Sequence, residues 1–493
     1  MSSFSPTRLY TAADSRSVDR YAIEHCGLPG MVLMGRAARA AFALLRRKCG
    51  DAQQIQILCG PGNNGGDGLL VARLAVEQGL SAQVYLVAGE PRSADAQRAM
   101  ALAASAGVSI EAYRDGCLSD EGVIVDALLG TGIAGPLREP YAQVIQAVNA
   151  LGQPILSLDL PSGVNSDSGS VSTAAVEANW TISFITAKRG LHTGEGAHFA
   201  GEISCDDLGV PAKAYEQIDA ASRLLRFDDV ADSLPERRLT AHKGRFGRCL
   251  LVGGDHGMGG AIVLAAEAAL RSGAGLVQVA TRAANISPLL ARLPESMPAA
   301  VSHRNHLIPL LTDASAIVVG PGLGQEPWGE QLLHACLASG KPLLVDADAL
   351  NLLALQGLTS LPVGSVITPH PGEAARLLGV TTADVQTDRF AAAAELAERF
   401  DAAVVLKGNG SLIGDGKHID VCAAGNPGMA SGGMGDVLSG IMGSLLAQGC
   451  GAPDAARLGV TLHAQAGDLA AAERGEAGLL ASDLVGKLVT WLK

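Results

Sequence analysis

Aromatic residues make up only 3% of this 493-residue chain, and its 37 basic residues are outnumbered by 49 acidic ones. A formal charge of −12 argues against a nucleic-acid or anionic-membrane partner, since such surfaces reward clustered Lys and Arg. Long hydrophobic runs are also missing: the best candidate, 261–280, is broken by Glu267 and Arg271, which argues against a membrane span. The opening MSSFSPTRLYTAADSRSVDR has no apolar core of the kind a secretory signal needs, so a cytoplasmic protein is expected. The nine cysteines are scattered, with no CxxC pair and no zinc spacing, which fits reduced thiols in a cytoplasm. His303 and His306 lie close together in a polar loop and read as structurally ordinary. No repeat links the two halves of the chain.

What is abundant is small and apolar. Hydrophobic residues reach 48% and glycine numbers 61, which suits layered α/β domains in which helices lie close on a sheet. The chain is long for one core, so two or more domains are expected. The polar, weakly patterned stretch 211–239 reads as a boundary, and we place the division near residue 225. Residues 11–48 carry helical patterns broken at GLPG (27–30), with Val32, Leu33, Ala37, Ala40, Leu44 and Leu45 as one buried face. Gly35 within that helix is unfavourable by about 1 kcal/mol against Ala, which suggests a close contact or an unwound turn there. Short β-rich runs follow at 55–59, 83–87, 123–129, 155–160 and 181–186, separated by helical stretches, and 199–210 reads as a final strand. That alternation predicts a mostly parallel sheet with helices on both faces, and ligands gathered beyond the strands' C-terminal ends.

Three loops of the first half sit at such ends. GPGNNGGDG (60–68) precedes a helix expected from about Leu69 and contains GxGxxG at Gly60, Gly62 and Gly65. Taken alone it suggests a dinucleotide site, with Glu90 as a ribose partner. Asn63, Asn64 and Asp67 nevertheless crowd a turn that an ordinary pyrophosphate loop keeps bare; a ligand loop of another kind, or a plain tight turn, are the readings left. In VDALLGTGIAGP (125–136), Asp126 closes a strand while Gly130, Gly132 and Gly135 allow close backbone approach; Asp126 as a helix cap is the alternative. DLPSGVNSDSG (159–169) repeats the strand-end aspartate. Asn64, Asp126, Asp159 and Ser162 thus converge as oxygen ligands suited to a hard cation, with a carboxylate available for proton abstraction. Simple turn chemistry is the rival account.

The second half restarts at HKG (242–244) with a strand at 249–252, and GGDHGMGGA (253–261) opens a helix running to about Arg271. Strands at 276–280, 316–319, 343–345, 366–368 and 403–406 end in pointed loops: GPGLG (320–324), DADALN (346–351), TPHPGE (368–373) and KGNGS (407–411). Pro371 and Glu373 fit a good helix start, which leaves His370 unexplained. Lys407 among glycines suits a nucleotide phosphate, or a solvated turn. In NPGMASGGMGDVLSG (426–440), Gly432, Gly433 and Gly435 precede Asp436, and Val437, Leu438, Ile441 and Met442 have helical spacing. Free N–H groups and the positive end of a helix dipole attract anions there. A carboxylate at such a mouth makes sense as a base for a hydroxyl attacking a bound phosphoryl group; a simple N-cap is the alternative.

Through NNGGDG, VDALLGTGIAGP and DLPSGVNSDSG the first half resembles the NAD(P)H-hydrate epimerase family. Through HKGRFG, GGDHGMGGA, GPGLG, TPHPGE, KGNGS and NPGMASGGMGDVLSG the second resembles the ADP-dependent NAD(P)H-hydrate dehydratases, so that essentially the whole chain is similar to the bifunctional repair family joining the two. The resemblance implies a Rossmann-like αβα domain over 1–225 and a ribokinase-like αβα domain over 226–493. It implies NADH or NADPH hydrated on the nicotinamide ring (NADHX, NADPHX) as substrates, the first domain interconverting R and S forms. There Asn63, Asn64, Gly65, Gly66, Asp67, Gly130, Thr131, Gly132, Ile133, Ala134, Gly135, Pro136 and Asp159 would contact the hydrate. Asn64, Asp126 and Ser162 would bind K⁺, and Asp159 would do acid–base work at C6. The second domain would dehydrate the S form, with Ala261, Gly324, His370 and Asp436 at the hydrate and Lys407, Gly408, Asn409, Gly410, Ser411 and Gly435 at the adenine nucleotide. Asp436 would direct the C6 hydroxyl onto the terminal phosphoryl of ADP, with Mg²⁺ on the phosphates and AMP and phosphate as products. Two enzymatic rivals are a conventional oxidoreductase and a ribokinase-like small-molecule kinase fused to a dinucleotide-binding or sensing domain. A homo-oligomer is the expectation for an acidic, Ala- and Gly-rich chain.

Overall fold

Residues 5, 7–132 and 135–491 are described by the computed structural model; Ile133 and Ala134, two of the expected hydrate contacts, lie outside them. The chain forms two units, Met1–Leu224 and Leu225–Lys493.

In the first unit, apolar runs such as Gln54–Cys59 and Val123–Ala127 are buried along their lengths, as strands covered on both faces must be. Seven strands lie in the order Ser109–Ala112, Ser81–Leu86, Gln54–Cys59, Val123–Ala127, Ile155–Leu158, Trp180–Phe184, Glu202–Asp206, every neighbouring pair parallel. Strand order reverses between Gln54–Cys59 and Val123–Ala127, which opens a crevice at their C-terminal ends. Apart from these seven, Arg8–Tyr10 pairs in parallel with Ala187–Lys188 and antiparallel with Ser222–Leu224.

Local sequence misled in three places. The helix expected from Leu69 begins at Asn63, so NNGGDG is its first turns rather than a loop. Tertiary closeness explains this: a Cβ on Gly65 would stand 1.9 Å from the Gly60 carbonyl oxygen, and one on Gly68 2.6 Å from Ala127 Cβ. Glycine is a poor helix former, but only glycine lets this helix lie so tightly on the sheet. In the helix Gly30–Lys48, Val32 is exposed, and Met34, Ala38 and Ala41 join Leu33, Ala37, Leu44 and Leu45 on the buried side. Within 199–210 only Glu202–Asp206 is strand, since Gly194–Phe199 is helical.

The second unit's sheet runs Met297–Ala300, Leu276–Thr281, Arg248–Val252, Ala316–Val319, Leu343–Val345, Val366–Ile367, Ala403–Leu406 in parallel, then Ser411–Gly414 and Ile419–Cys422 antiparallel. The helix Met434–Ala447 is almost wholly buried and packs on Gly259–Arg271. Contact is closest at Gly440, where a Cβ would come 2.2 Å from the Ala265 carbonyl oxygen. Backbone cannot yield as a flexible side chain can. Gly440→Ala is therefore expected to destabilise this unit by about 1–3 kcal/mol through overpacking. Denaturant titration checks it, and an unchanged midpoint would mean that the two helices separate freely.

Two candidate active sites

The first crevice is built on Asp126, fully buried at the end of its strand. Its carboxylate accepts four hydrogen bonds: from Ser162 Oγ at 2.6 Å, Ser162 N at 2.8 Å, Ser157 Oγ at 2.9 Å and Leu128 N at 3.2 Å. Burial pushes its carboxyl above the usual range and these donors partly offset the rise. Asn64, in the first turn of its helix, donates through Nδ2 to the carbonyls of Leu129 (2.9 Å) and Leu158 (3.1 Å). That bridges two strand ends and leaves Asn64 Oδ1 buried without a hydrogen-bond partner. An unsatisfied buried acceptor is costly unless something electropositive meets it. Asn64, Asp126 and Ser162 are thus brought together, as oxygen donors of the hard type.

Asp159 follows the next strand in a left-handed conformation, φ +65°, which an aspartate tolerates better than most residues. Its Oδ1 accepts from Lys188 Nζ at 2.5 Å. Its Oδ2 faces Gly130, 3.3 Å from where a Cβ on that glycine would stand, with Asn64 Cβ 3.6 Å away on the same side. Burial, then the charges of Asp159 and Asp19, push the Asp67 carboxyl well above its ordinary range. Asp19 is also raised, by burial first, with Lys188 opposing and Asp159 adding to the shift. Of the remaining expected contacts, Asn63 accepts from Ser93 Oγ at 2.5 Å and the Thr131 carbonyl accepts from Arg16 at 3.3 Å. Gly65 and Gly66 are buried in the helix, while Gly132, Gly135 and Pro136 are exposed.

The second crevice centres on Asp346, buried at the end of Leu343–Val345 and followed by the left-handed Ala347. Asp346 accepts from Lys407 Nζ at 2.7 Å and from Ser439 Oγ, one turn along the helix from Asp436, also at 2.7 Å. Lys407 Nζ lies 3.8 Å from Glu373. Burial alone would raise Asp346, but the Lys407 charge and these donors hold it below the usual carboxylate range. Burial alone would lower Lys407, and Asp346 and Glu373 reverse that. A Cβ on Gly435 would stand 3.5 Å from Lys407 Nζ and 3.6 Å from Asp346, so the glycine admits a ligand beside the ion pair. Asp436 is pushed up to about 7 by burial first, then by Asp346 and Asp348, with Lys407 opposing.

His370, the residue left over by the helix-start reading, is itself the helix cap. Its Nδ1 accepts from the N–H groups of Gly372 (3.0 Å) and Glu373 (3.3 Å), and the Glu373 carboxylate in turn accepts from His370 N–H at 2.8 Å. An accepting Nδ1 puts the ring proton on Nε2, 3.4 Å from Glu373. Gly324 donates from N to Asp348 at 2.9 Å, and Gly322 of the same loop lies against Ala261. Below the KGNGS turn, the buried Arg389 reaches the carbonyls of Leu406, Lys407 and Gly410, and a Cβ on Gly408 would stand 2.9 Å from its guanidinium. Asn409 is exposed and Ser411 Oγ donates to the Gly408 carbonyl at 3.1 Å. Sequence reasoning missed Lys188, which holds Asp159, and Ser439, which holds Asp346, as well as the buried Arg389 beneath the KGNGS turn. Of these only Ser439 had any signal, as part of NPGMASGGMGDVLSG.

A family model described as NAD(P)H-hydrate dehydratase matches residues 249–489, and one described as YjeF-related protein N-terminus matches residues 30–190. The chain is 47% identical over 482 residues to a bifunctional NAD(P)H-hydrate repair enzyme of Coxiella burnetii, covering 97% of this chain and 98% of that one. It is 43% identical over 491 residues to the Escherichia coli enzyme of the same name, covering 98% and 93%. A ribokinase-like superfamily protein from Enterococcus faecalis superposes with a TM-score of 0.51 at 32% identity, over 55% of this chain and 95% of its own. Both halves, in order and over nearly their full length, place this chain in the family of bifunctional NAD(P)H-hydrate repair enzymes.

Proposed function

We propose that the first unit interconverts the R and S forms of NADH or NADPH hydrated on the nicotinamide ring, and that the second returns the S form to NAD(P)H while converting ADP to AMP and phosphate. Asp436 carries this reading: a carboxylate at a helix mouth, pushed up to about 7 chiefly by burial, beside a half-buried lysine. It takes the proton from the C6 hydroxyl as that oxygen attacks the terminal phosphorus of ADP. Lys407 and the N–H groups opening the helix Met434–Ala447 meet the charge that develops on the phosphoryl oxygens. The ester formed leaves as phosphate, expelled by the ring nitrogen's lone pair, and loss of the C5 proton restores the dihydropyridine ring. Hydroxide would be a far poorer leaving group.

In the first unit Asp159 takes the proton of the C6 hydroxyl as the C6–N1 bond breaks to give an open-chain aldehyde, and returns it to that oxygen when the nitrogen re-adds to the other face of the carbonyl, between the Asn63–Asp67 and Gly130–Pro136 segments. K⁺ fits the unsatisfied Asn64 Oδ1 together with Asp126 and Ser162; bound there, it would tie three strand ends together and offset the buried carboxylate. Among the described residues no cluster of three His, Cys, Asp or Glu is placed to hold a metal. Mg²⁺ is expected on the nucleotide's own phosphates, whose charge it neutralises. We place the enzyme in the cytoplasm, where reduced thiols are at home; all nine cysteines are unpaired.

A mixed R/S hydrate incubated with ADP, Mg²⁺ and K⁺ is expected to regain all of its absorbance at 340 nm. Accumulation of a stable phosphorylated product would favour the kinase reading instead. The rise of Asp436 to about 7 sets a pH dependence: below that value it is protonated and idle, above it the base is ready. Dehydration kcat/KM should climb as pH rises through about 7 and level off beyond. A profile flat between pH 5.5 and 8.5 would remove Asp436 as the base.

A further inference from the structure

Lys188 lies in none of the strings that carry the resemblance, yet its ammonium is the charge partner of Asp159. The side chain is 2% exposed and donates to Asp159 Oδ1 at 2.5 Å and to the Phe184 carbonyl at 2.7 Å. Backbone fixes all three residues. Asp159 N donates to the Ile182 carbonyl at 2.8 Å, Ile185 beside Phe184 is left-handed at φ +66°, and Lys188 pairs with Tyr10 of the strand Arg8–Tyr10. Because one Asp159 oxygen is taken by the ammonium, the other is left facing Gly130. Aspartate χ2 is a broad, two-fold torsion, so an unclamped carboxylate would sample many directions.

We propose that Lys188 is a positioning residue of the epimerase: it locks one oxygen of Asp159 so that the other is presented, over Gly130, to the ring hydroxyl of the hydrate. The inference rests on Asp159 being the acid–base group of the first unit. A purely structural role is the competing account, because buried ion pairs are often replaceable by apolar side chains without loss of stability. The two differ in what they do to turnover. Misplacing a reacting group by about 1 Å costs roughly 100-fold in rate, whereas a structural pair affects the folded fraction. Asp19, Asp67 and Cys205 also feel the Lys188 charge, from the helices Ala12–Cys26 and Asn63–Glu77 and the strand Glu202–Asp206. The test therefore reads turnover and rescue at one fixed pH.

Full-length Lys188→Met, which keeps length and removes charge, is assayed for R-to-S conversion beside Asp159→Asn, with circular dichroism reporting the fold. The expected result is a kcat lowered about 100-fold at a KM within about threefold of the unaltered enzyme. Lys188→Ala, whose missing atoms match propylammonium, should regain at least about tenfold in kcat when that amine is added. A Met variant that turns over within threefold of normal while Asp159→Asn is inactive overturns the role of Lys188 and leaves Asp159 standing. A fully active Asp159→Asn overturns both. Should the Met variant fail to fold, the Ala variant purified in propylammonium decides: activity that comes and goes with the amine supports the proposal. A folded Ala variant indifferent to the amine, or one that never folds, makes Lys188 structural only.

Discussion

Asp436→Ala is expected to cut dehydration of the S hydrate by about 10²–10⁴-fold, the range general-base catalysis supplies, with R-to-S conversion unchanged. The fold should tolerate the change. Asp436 shares its crevice with Asp346 and Asp348, and its raised value shows that burial and those neighbours already disfavour its charge. Truncation relieves that repulsion and leaves Lys407 its bond to Asp346. Recovery of absorbance at 340 nm from pure S hydrate, and the R/S ratio followed by chromatography, separate the two activities. Dehydration surviving within tenfold would show that the proton goes elsewhere.

Asp159→Asn should do the reverse, silencing epimerisation by a comparable factor. In a mixed hydrate, ADP would then restore only the S fraction and leave the R form untouched. Asparagine is the better choice over alanine here. It too tolerates the left-handed backbone at φ +65°, and its amide oxygen still accepts from Lys188. Alanine would strand a buried ammonium, at a cost of about 3–5 kcal/mol. An Asn variant that keeps converting R to S would end the acid–base assignment to Asp159. Loss of both activities from a folded protein bearing either substitution would end the two-site scheme.

The parts of these sites written in the sequence are those with local causes. Strand-end aspartates and glycine turns announce themselves because a parallel sheet must end each strand in a loop, and Asp126, Asp159 and Asp346 sit where that rule puts them. What stayed hidden depends on distant backbone. NNGGDG looks like a turn until the Gly60 carbonyl and Ala127 press against Gly65 and Gly68 and make a glycine-rich helix the better solution. Asp19 is one more polar residue in the helix Ala12–Cys26, and Lys188 one more basic residue, at the end of the two-residue strand Ala187–Lys188. Nothing short-range says that Lys188, 29 residues away in sequence, binds Asp159, or that Asp19, far earlier in the chain, feels the charge of both. His370 was left unexplained because its cap is made by a ring nitrogen, a donor–acceptor choice that no residue pattern records.

The left-handed turn at Asp159 also bears on stability. A residue held at a disfavoured angle and tied to a buried cation carries two local costs, which glycine at 159 together with an apolar side chain at 188 would remove. Activity and sturdiness therefore pull against each other at this one pair.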